Sequence, residues 1–162
     1  VTVTLYKNVG DNEAVAILRK TLKEGIVSQN VKILTSVALD RFGHIDSLNS
    51  VWKFVKENFP YQSDPEDYEL FIHPNRVALD YFNGIPRSGD CDDHALLTAA
   101  MLGAIGYRTK IILADCNFDG EIDHAFSQVH SEKLGWLNFD TSGVNPLGWI
   151  IPYGKGITVD PN

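Results

Sequence analysis

An α+β fold is the architecture this sequence predicts, and three observations predict it. Up to about residue 105 apolar side chains recur at helical spacing, whereas after Gly106 the chain turns to β-branched and aromatic runs separated by polar turns. The helical patterns come first and the strand patterns follow, which points to helices packed on an antiparallel sheet and not to alternating βαβ units. With 162 residues, 44% of them hydrophobic, the chain can bury one substantial core, and no stretch reads as a linker, so a single domain over residues 1–162 is expected.

The first element is a short β-like start at Val1 to Tyr6. "DNEAVAILRKTLKEG" then sets Ala14, Val15, Leu18 and Leu22 on one helical face, with Asp11 or Asn12 as N-cap and Gly25 as stop. A second helix is predicted with Asn30 as cap, Val31, Leu34, Val37 and Ala38 as its stripe, and Gly43 beyond its end. The third runs from Asp46 to about Asn58 and buries Leu48, Val51, Trp52 and Val55. "FPYQSDPEDYELFIHP", with three prolines and clustered acids, reads as an exposed loop leading to a short helix opened by Pro74 and closed by Asn83-Gly84. From Cys91 to Ile105 the pattern is helical again, with Gly106 as terminator. "YRTKIILAD", "HAFSQVHS" and "GWLNFDTS" predict an antiparallel meander, against which the cysteine helix packs. "NPLGWIIPYGKGITVDPN" is read either as a final irregular strand wrapped on the domain or as a tail that docks on a partner.

The chemistry concentrates at "SGDCDDHALLTAA". A thiol at the start of a helix meets unpaired N–H groups and the positive end of the helix dipole, both of which favour thiolate. Gly89 is expected to let the backbone turn sharply just before it, while Asp90, Asp92 and Asp93 oppose ionisation and call for a cationic or hydrogen-bonding partner. An imidazole is the obvious one. His124 opens the second predicted strand and Asp140 lies near the end of the third, so antiparallel pairing with a turn near Lys133 to Gly135 brings them within hydrogen-bond range. Cys91, His124 and Asp140 then make a nucleophile, a base and an orienting carboxylate, as acyl transfer through a thioester requires. His94, three residues after Cys91, is the rival base and ranks second, because a base on the nucleophile's own helix is not easily oriented by Asp140. His130 shares a strand face with His124, and His44 and His73 read as solvated loop residues.

Three segments, "GDCDDHALLTAAMLGAIGYRTKIIL", "DHAFSQVH" and "GWLNFDTS", together resemble the transglutaminase-like superfamily of papain-like cysteine enzymes, in the order that family shows them. "VWKFVKENFPY" also looks like the family's helix-then-Tyr segment, so the resemblance covers about residues 45–142 and leaves 1–44 and 143–162 unmatched. It implies Cys91 as nucleophile, His124 as general base and Asp140 as the carboxylate that orients it. A second oxyanion donor beside the Cys91 N–H is implied upstream, with Tyr61 and Gln62 as candidates. Phe126 departs from the Trp that many relatives carry after His-Ala, a conservative aromatic exchange. The implied activity is that of a cysteine peptidase or amidase, slightly favoured, or of a transglutaminase, on a peptide or protein carbonyl. The alternative is a catalytically silent module of the same fold, docked in a larger assembly through the unmatched ends.

No cofactor is required by this chemistry, but Asp115, Asn117, Asp119 and Gly120 occupy positions one, three, five and six of a calcium loop, and Asp123 closes the acidic run. Phe126 stands where that loop needs a bidentate Glu, so a polar β-turn explains the same residues. Calcium remains an expectation of second rank, and no Cys and His spacing suggests zinc. Cys91 and Cys116 are too few for a disulfide framework, although a bridge between them is one alternative. A net charge of -7 argues against nucleic acid as a partner and hints at basic or neutral substrates. No run is long and apolar enough for membrane insertion and no signal peptide is visible, so the chain reads as soluble. The cytoplasm is slightly favoured, but a start at Val1 without methionine leaves localisation open.

Overall fold

Ten consecutive residues, Asp93 to Leu102, are buried without interruption on one helix, and a helix that is apolar on every side must sit inside the molecule. The structure, a computed structural model, describes residues 3–7 and 9–162. Val1 and Thr2, where the sequence starts its first strand, lie outside them. In chain order the elements are β1 (Val3–Lys7), α1 (Asp11–Val27), α2 (Gln29–Phe42), α3 (Ser47–Asn58), β2 (Tyr68–Ile72), α4 (Pro74–Phe82), α5 (Cys91–Ala104), β3 (Thr109–Ala114), β4 (His124–Ser131), β5 (Gly135–Phe139) and β6 (Gly156–Val159). Helix α5 packs on α1 to α4 through part of its surface and on β3 and β4 through the rest. The fold is thus α+β, with the cysteine helix between a helical layer and a four-stranded antiparallel sheet of order β5-β4-β3-β6.

Close approach of α1 to α5 explains two glycines. A Cβ on Gly25 would stand 2.9 Å from Ala100 Cβ, and one on Gly103 would stand 2.7 Å from Ile26 Cγ1. Gly25 is therefore a packing residue inside α1, which continues to Val27, and not the stop the sequence suggested. The caps differ too. Gly10 precedes α1 in place of Asp11 or Asn12, and Ser28 caps α2 by accepting from the Val31 N–H in place of Asn30. Asp46, where the sequence starts the third helix, is the cap of α3 and accepts from the Asn49 N–H.

One strand escaped the sequence reading. Tyr68–Ile72, taken as part of an exposed acidic loop, pairs antiparallel with β1 from Val3↔Ile72 to Lys7↔Tyr68. Its Asp and Pro neighbours masked five residues of strand character. At the other end, β6 pairs with β3, so the C-terminal segment is a strand wrapped on the domain. The sheet has two buried faces. Ile111, Leu113, Ala125, Val129 and Phe139 join the core around α5, while Ile112, Ala114 and Phe126 form a smaller cluster with Cys116 and Ile151.

Candidate active site

Cys91 is the first residue of α5, and the start of that helix is tied down on three sides. Asp90 accepts from the Asp92 and Asp93 N–H groups while Asp93 reaches back to the Asp90 N–H, a capping box that leaves the Cys91 N–H outside it. Asp93 also accepts from the Ile72 N–H at 2.8 Å, which anchors β2 to the helix start. Upstream, Gly89 bridges to Tyr61, with Gln62 N–H donating to Gly89 O at 2.8 Å. Gly89 is needed for space more than for a turn: it has no positive φ, and a Cβ there would lie 2.6 Å from the Asp93 side chain.

The electrostatics around the thiol favour its protonated form. Burial, followed by Asp92 and Asp90, pushes the Cys91 thiol well above the ordinary range, against a smaller opposite pull from the Ala125 N–H. The resting site thus outweighs the helix dipole from which the sequence argued for thiolate. Its neighbours are perturbed likewise: burial first and then Asp64 push Asp90 up to about 7, and burial followed by Asp90 pushes Asp93 up to about 9. Asp92 is raised by burial and Asp90. Glu69 is raised by burial and Asp64, and its Oε2 is buried without a hydrogen-bond partner.

The second half of the constellation comes from the β4–β5 hairpin. Its ladder runs from Ser131↔Gly135 to Ser127↔Phe139, and one further step sets Asp140 opposite Phe126, diagonal to His124. His124 Nε2 and Asp140 Oδ2 are 2.7 Å apart. Asp140 Oδ1 accepts from the Ser142 N–H at 3.0 Å and the Ser142 hydroxyl at 2.6 Å. Burial works to raise the Asp140 carboxyl, yet the bonds from His124 and Ser142 outweigh it and hold the group below its ordinary value. A carboxylate on Nε2 keeps the proton there and leaves the Nδ1 lone pair as the ring's free base.

Cys91 and His124 line the same cavity, of about 340 Å³, although no hydrogen bond joins them among the described residues. Six carboxylates line it as well, Asp11, Asp64, Glu69, Asp90, Asp92 and Asp123, without a lysine or arginine among the described residues. Tyr61 borders it too, whereas Gln62 is outside the lining and its Oε1 accepts from Ser88 Oγ. Asp64 and Glu69 were missed as site residues, because it is the long-range bond of the Ile72 N–H to Asp93 that fastens β2 and its acidic approach to the start of α5.

The remaining histidines are placed elsewhere. His94 is 2% exposed, packs on Phe59 and meets Thr141 Oγ1 through Nδ1 at 2.7 Å, so it is a core residue and not a rival base. His73 caps α4 by accepting from the Asn75 N–H and contacts Glu24 at 3.0 Å, which makes it a structural residue and not a solvated one. His44 is exposed beside Asp40, and His130 packs on Trp136. Both cysteines are free, which removes the bridge between Cys91 and Cys116. In the 115–123 loop, Asp115 accepts from the Asp119 and Gly120 N–H groups, Asn117 from Asp119, Asp119 from Glu121, and Asp123 from Cys116 and Asn117. Each of the four candidate calcium ligands thus serves the loop's own backbone.

The profile of the transglutaminase-like superfamily matches residues 32–141. No curated protein matches the sequence. Among solved structures, a candidate cysteine protease from Cytophaga hutchinsonii superposes with a TM-score of 0.53 at 15% identity, over 94% of this chain and 47% of its own. A candidate protease from Parabacteroides distasonis superposes with a TM-score of 0.53 at 18% identity, over 80% of this chain and 26% of its own. These likenesses are of fold, and the chain spans less than half the length of either neighbour.

Proposed function

This chain belongs to the transglutaminase-like superfamily, and from that premise we propose that it is a cysteine enzyme of papain-like type, acting on a peptide or carboxamide carbonyl through Cys91, His124 and Asp140. The observation that carries the reading is the 2.7 Å contact of His124 Nε2 with Asp140 Oδ2, on a ring that shares its cavity with the thiol at the head of α5. Cys91 Sγ gives its proton to His124 Nδ1 as the S–C bond forms, and the tetrahedral oxyanion is met by the Cys91 N–H and by Tyr61. His124 then returns the proton to the leaving nitrogen as the C–N bond breaks, leaving a thioester. Water resolves it in a peptidase or amidase, and an amine in a transglutaminase; hydrolysis is the slightly favoured outcome. Calcium in the 115–123 loop has a minor place in this reading, as a stabiliser of the segment that leads to His124. The carboxylates of the cleft favour neutral or cationic substrates over anionic ones.

The test is incubation of the protein with a glutamine-containing peptide and a labelled amine. Ammonia release or peptide cleavage without label incorporation supports hydrolysis, incorporation supports transamidation, and neither activity above the Cys91→Ser background would sink the catalytic reading. A silent module of the same fold is the second reading, favoured by the upward shift of the Cys91 thiol among its acids. It predicts that iodoacetamide modifies Cys91 no faster than a free cysteine.

A further inference from the structure

We propose that His94 and Thr98, one turn apart on α5, form a buried polar strut that positions Asp140 for His124. The inference rests on the triad reading and assigns two positioning residues to it. Asp140 lies one residue past the last ladder pair, Ser127↔Phe139, so sheet hydrogen bonds do not set its place. Two contacts from the nucleophile's own helix flank it. On one side His94 Nδ1 meets Thr141 Oγ1 at 2.7 Å, with the two residues 2% and 3% exposed. On the other, Ser127 Oγ lies 2.8 Å from Phe139 O and 2.8 Å from Thr98 Oγ1, whose hydroxyl is also 2.8 Å from His94 O, so two hydroxyl protons are shared along a short polar chain from α5 to Phe139. The residues before and after Asp140 are thereby held to the helix that carries Cys91. From α3, Lys56 Nζ donates to the carbonyls of Thr141 and Gly143, which fastens the outer side of the same segment.

Burial gives these contacts their rigidity. Thr98 and Ser127 are 0% and 1% exposed, so no water competes for them, and a buried polar group that loses its partner is costly. His94 is held neutral, since burial lowers its pKa to about 4 despite the opposing pull of Asp140. A neutral ring packed on Phe59 at 4.9 Å is a fixed spacer between α5 and Thr141. Valine or leucine at these positions would fill the core as well. What the polar set adds is a defined distance between the start of α5 and the carboxylate.

The experiment uses the full chain and two readouts that simple destabilisation does not move: the tautomer of His124 from its ring ¹⁵N shifts, and the pH profile of Cys91 alkylation by iodoacetamide. That profile also senses Asp90, Asp92 and Asp140, so His124→Ala and Asp140→Asn are run as references. In the unaltered protein His124 should carry its proton on Nε2. Thr141→Val, which removes the hydroxyl and keeps the shape, should give the tautomer mixture of Asp140→Asn and slow alkylation on the order of 10- to 100-fold, as misplacement by about an ångström does. Thr141→Ser should restore both. A Thr141→Val protein with unaltered tautomer and profile, and only a lower melting temperature, would overturn the proposal. Should Thr141→Val not fold, Thr98→Val removes the other arm and is read in the same way. If His124→Ala leaves the alkylation profile unchanged, the triad reading fails, while the tautomer still reports separately on the strut.

Discussion

At the scale of single residues, the site opposes two influences at one sulfur. The start of α5 offers N–H groups to a thiolate, whereas burial, Asp92 and Asp90 favour the thiol. Asp92 follows Cys91 directly, and its Oδ1 lies 4.0 Å from Sγ. Replacing it by asparagine keeps the shape and removes the charge the carboxylate carries once ionised, so Asp92→Asn should speed iodoacetamide modification of Cys91 at alkaline pH by roughly tenfold, the equivalent of one pKa unit. An unchanged or slower rate would show that Asp92 does not set the thiol's ionisation. The contact of His124 with Asp140 and the place of Cys91 at the start of α5 were legible, because strand periodicity predicts who faces whom and a glycine before a helical run marks where the helix begins. His94 was misjudged for a related reason. Helical spacing shows that it neighbours Cys91, but not that α3 and the segment after β5 close over it.

At the scale of elements, the start of α5 stores a pH response opposite in sign to that of ordinary carboxylates. Asp93 and Asp90 are pushed up to about 9 and about 7, above the carboxyl range of an unfolded chain, so the folded state binds the extra protons. Their contribution to stability is complete below the unfolded value, near pH 4, and is lost as pH rises through 7 and 9. Urea unfolding at pH 5, 7 and 9 should show falling stability, and Asp93→Asn should flatten the trend; a rise with pH in the unaltered protein would contradict the assignment. Helix contacts give a second prediction. Gly25→Ala gains about 1 kcal/mol of helix propensity but forces α1 from α5, an overpacking cost of roughly 1–3 kcal/mol. Net destabilisation with an unchanged CD spectrum is expected, and a more stable variant would show that the interface yields. Helix positions were readable from apolar periodicity, whereas Gly25 was misread because a glycine used for close approach and a glycine used as a stop look alike in one dimension. Strand β2 was lost for another reason: its partner is β1, some sixty residues away, and local composition says nothing about so distant a pairing.

At the scale of the whole molecule, the charge of -7 is not spread evenly, since six carboxylates converge on the cleft that holds the thiol. At alkaline pH, once Asp90 and its neighbours have ionised, iodoacetate should therefore modify Cys91 more slowly than iodoacetamide, by roughly tenfold beyond the ratio for a free thiol, and added salt should narrow the gap. Equal relative rates at low salt would mean that the cleft is screened or its carboxyls protonated. The sequence by itself determined the α+β class, the order of helices before strands, the helix that starts at Cys91 and the hairpin that pairs His124 with Asp140, because all of these follow from periodicity and local turn chemistry. Tertiary structure alone decided that Asp64 and Glu69 join Asp90 in the cavity of the thiol, that Gly25 and Gly103 let α1 close on α5, and that His94 faces Thr141 instead of the cleft. Those outcomes depend on which distant surfaces meet, and burial then pushes up the carboxyls of Glu69, Asp90, Asp92 and Asp93 that they enclose.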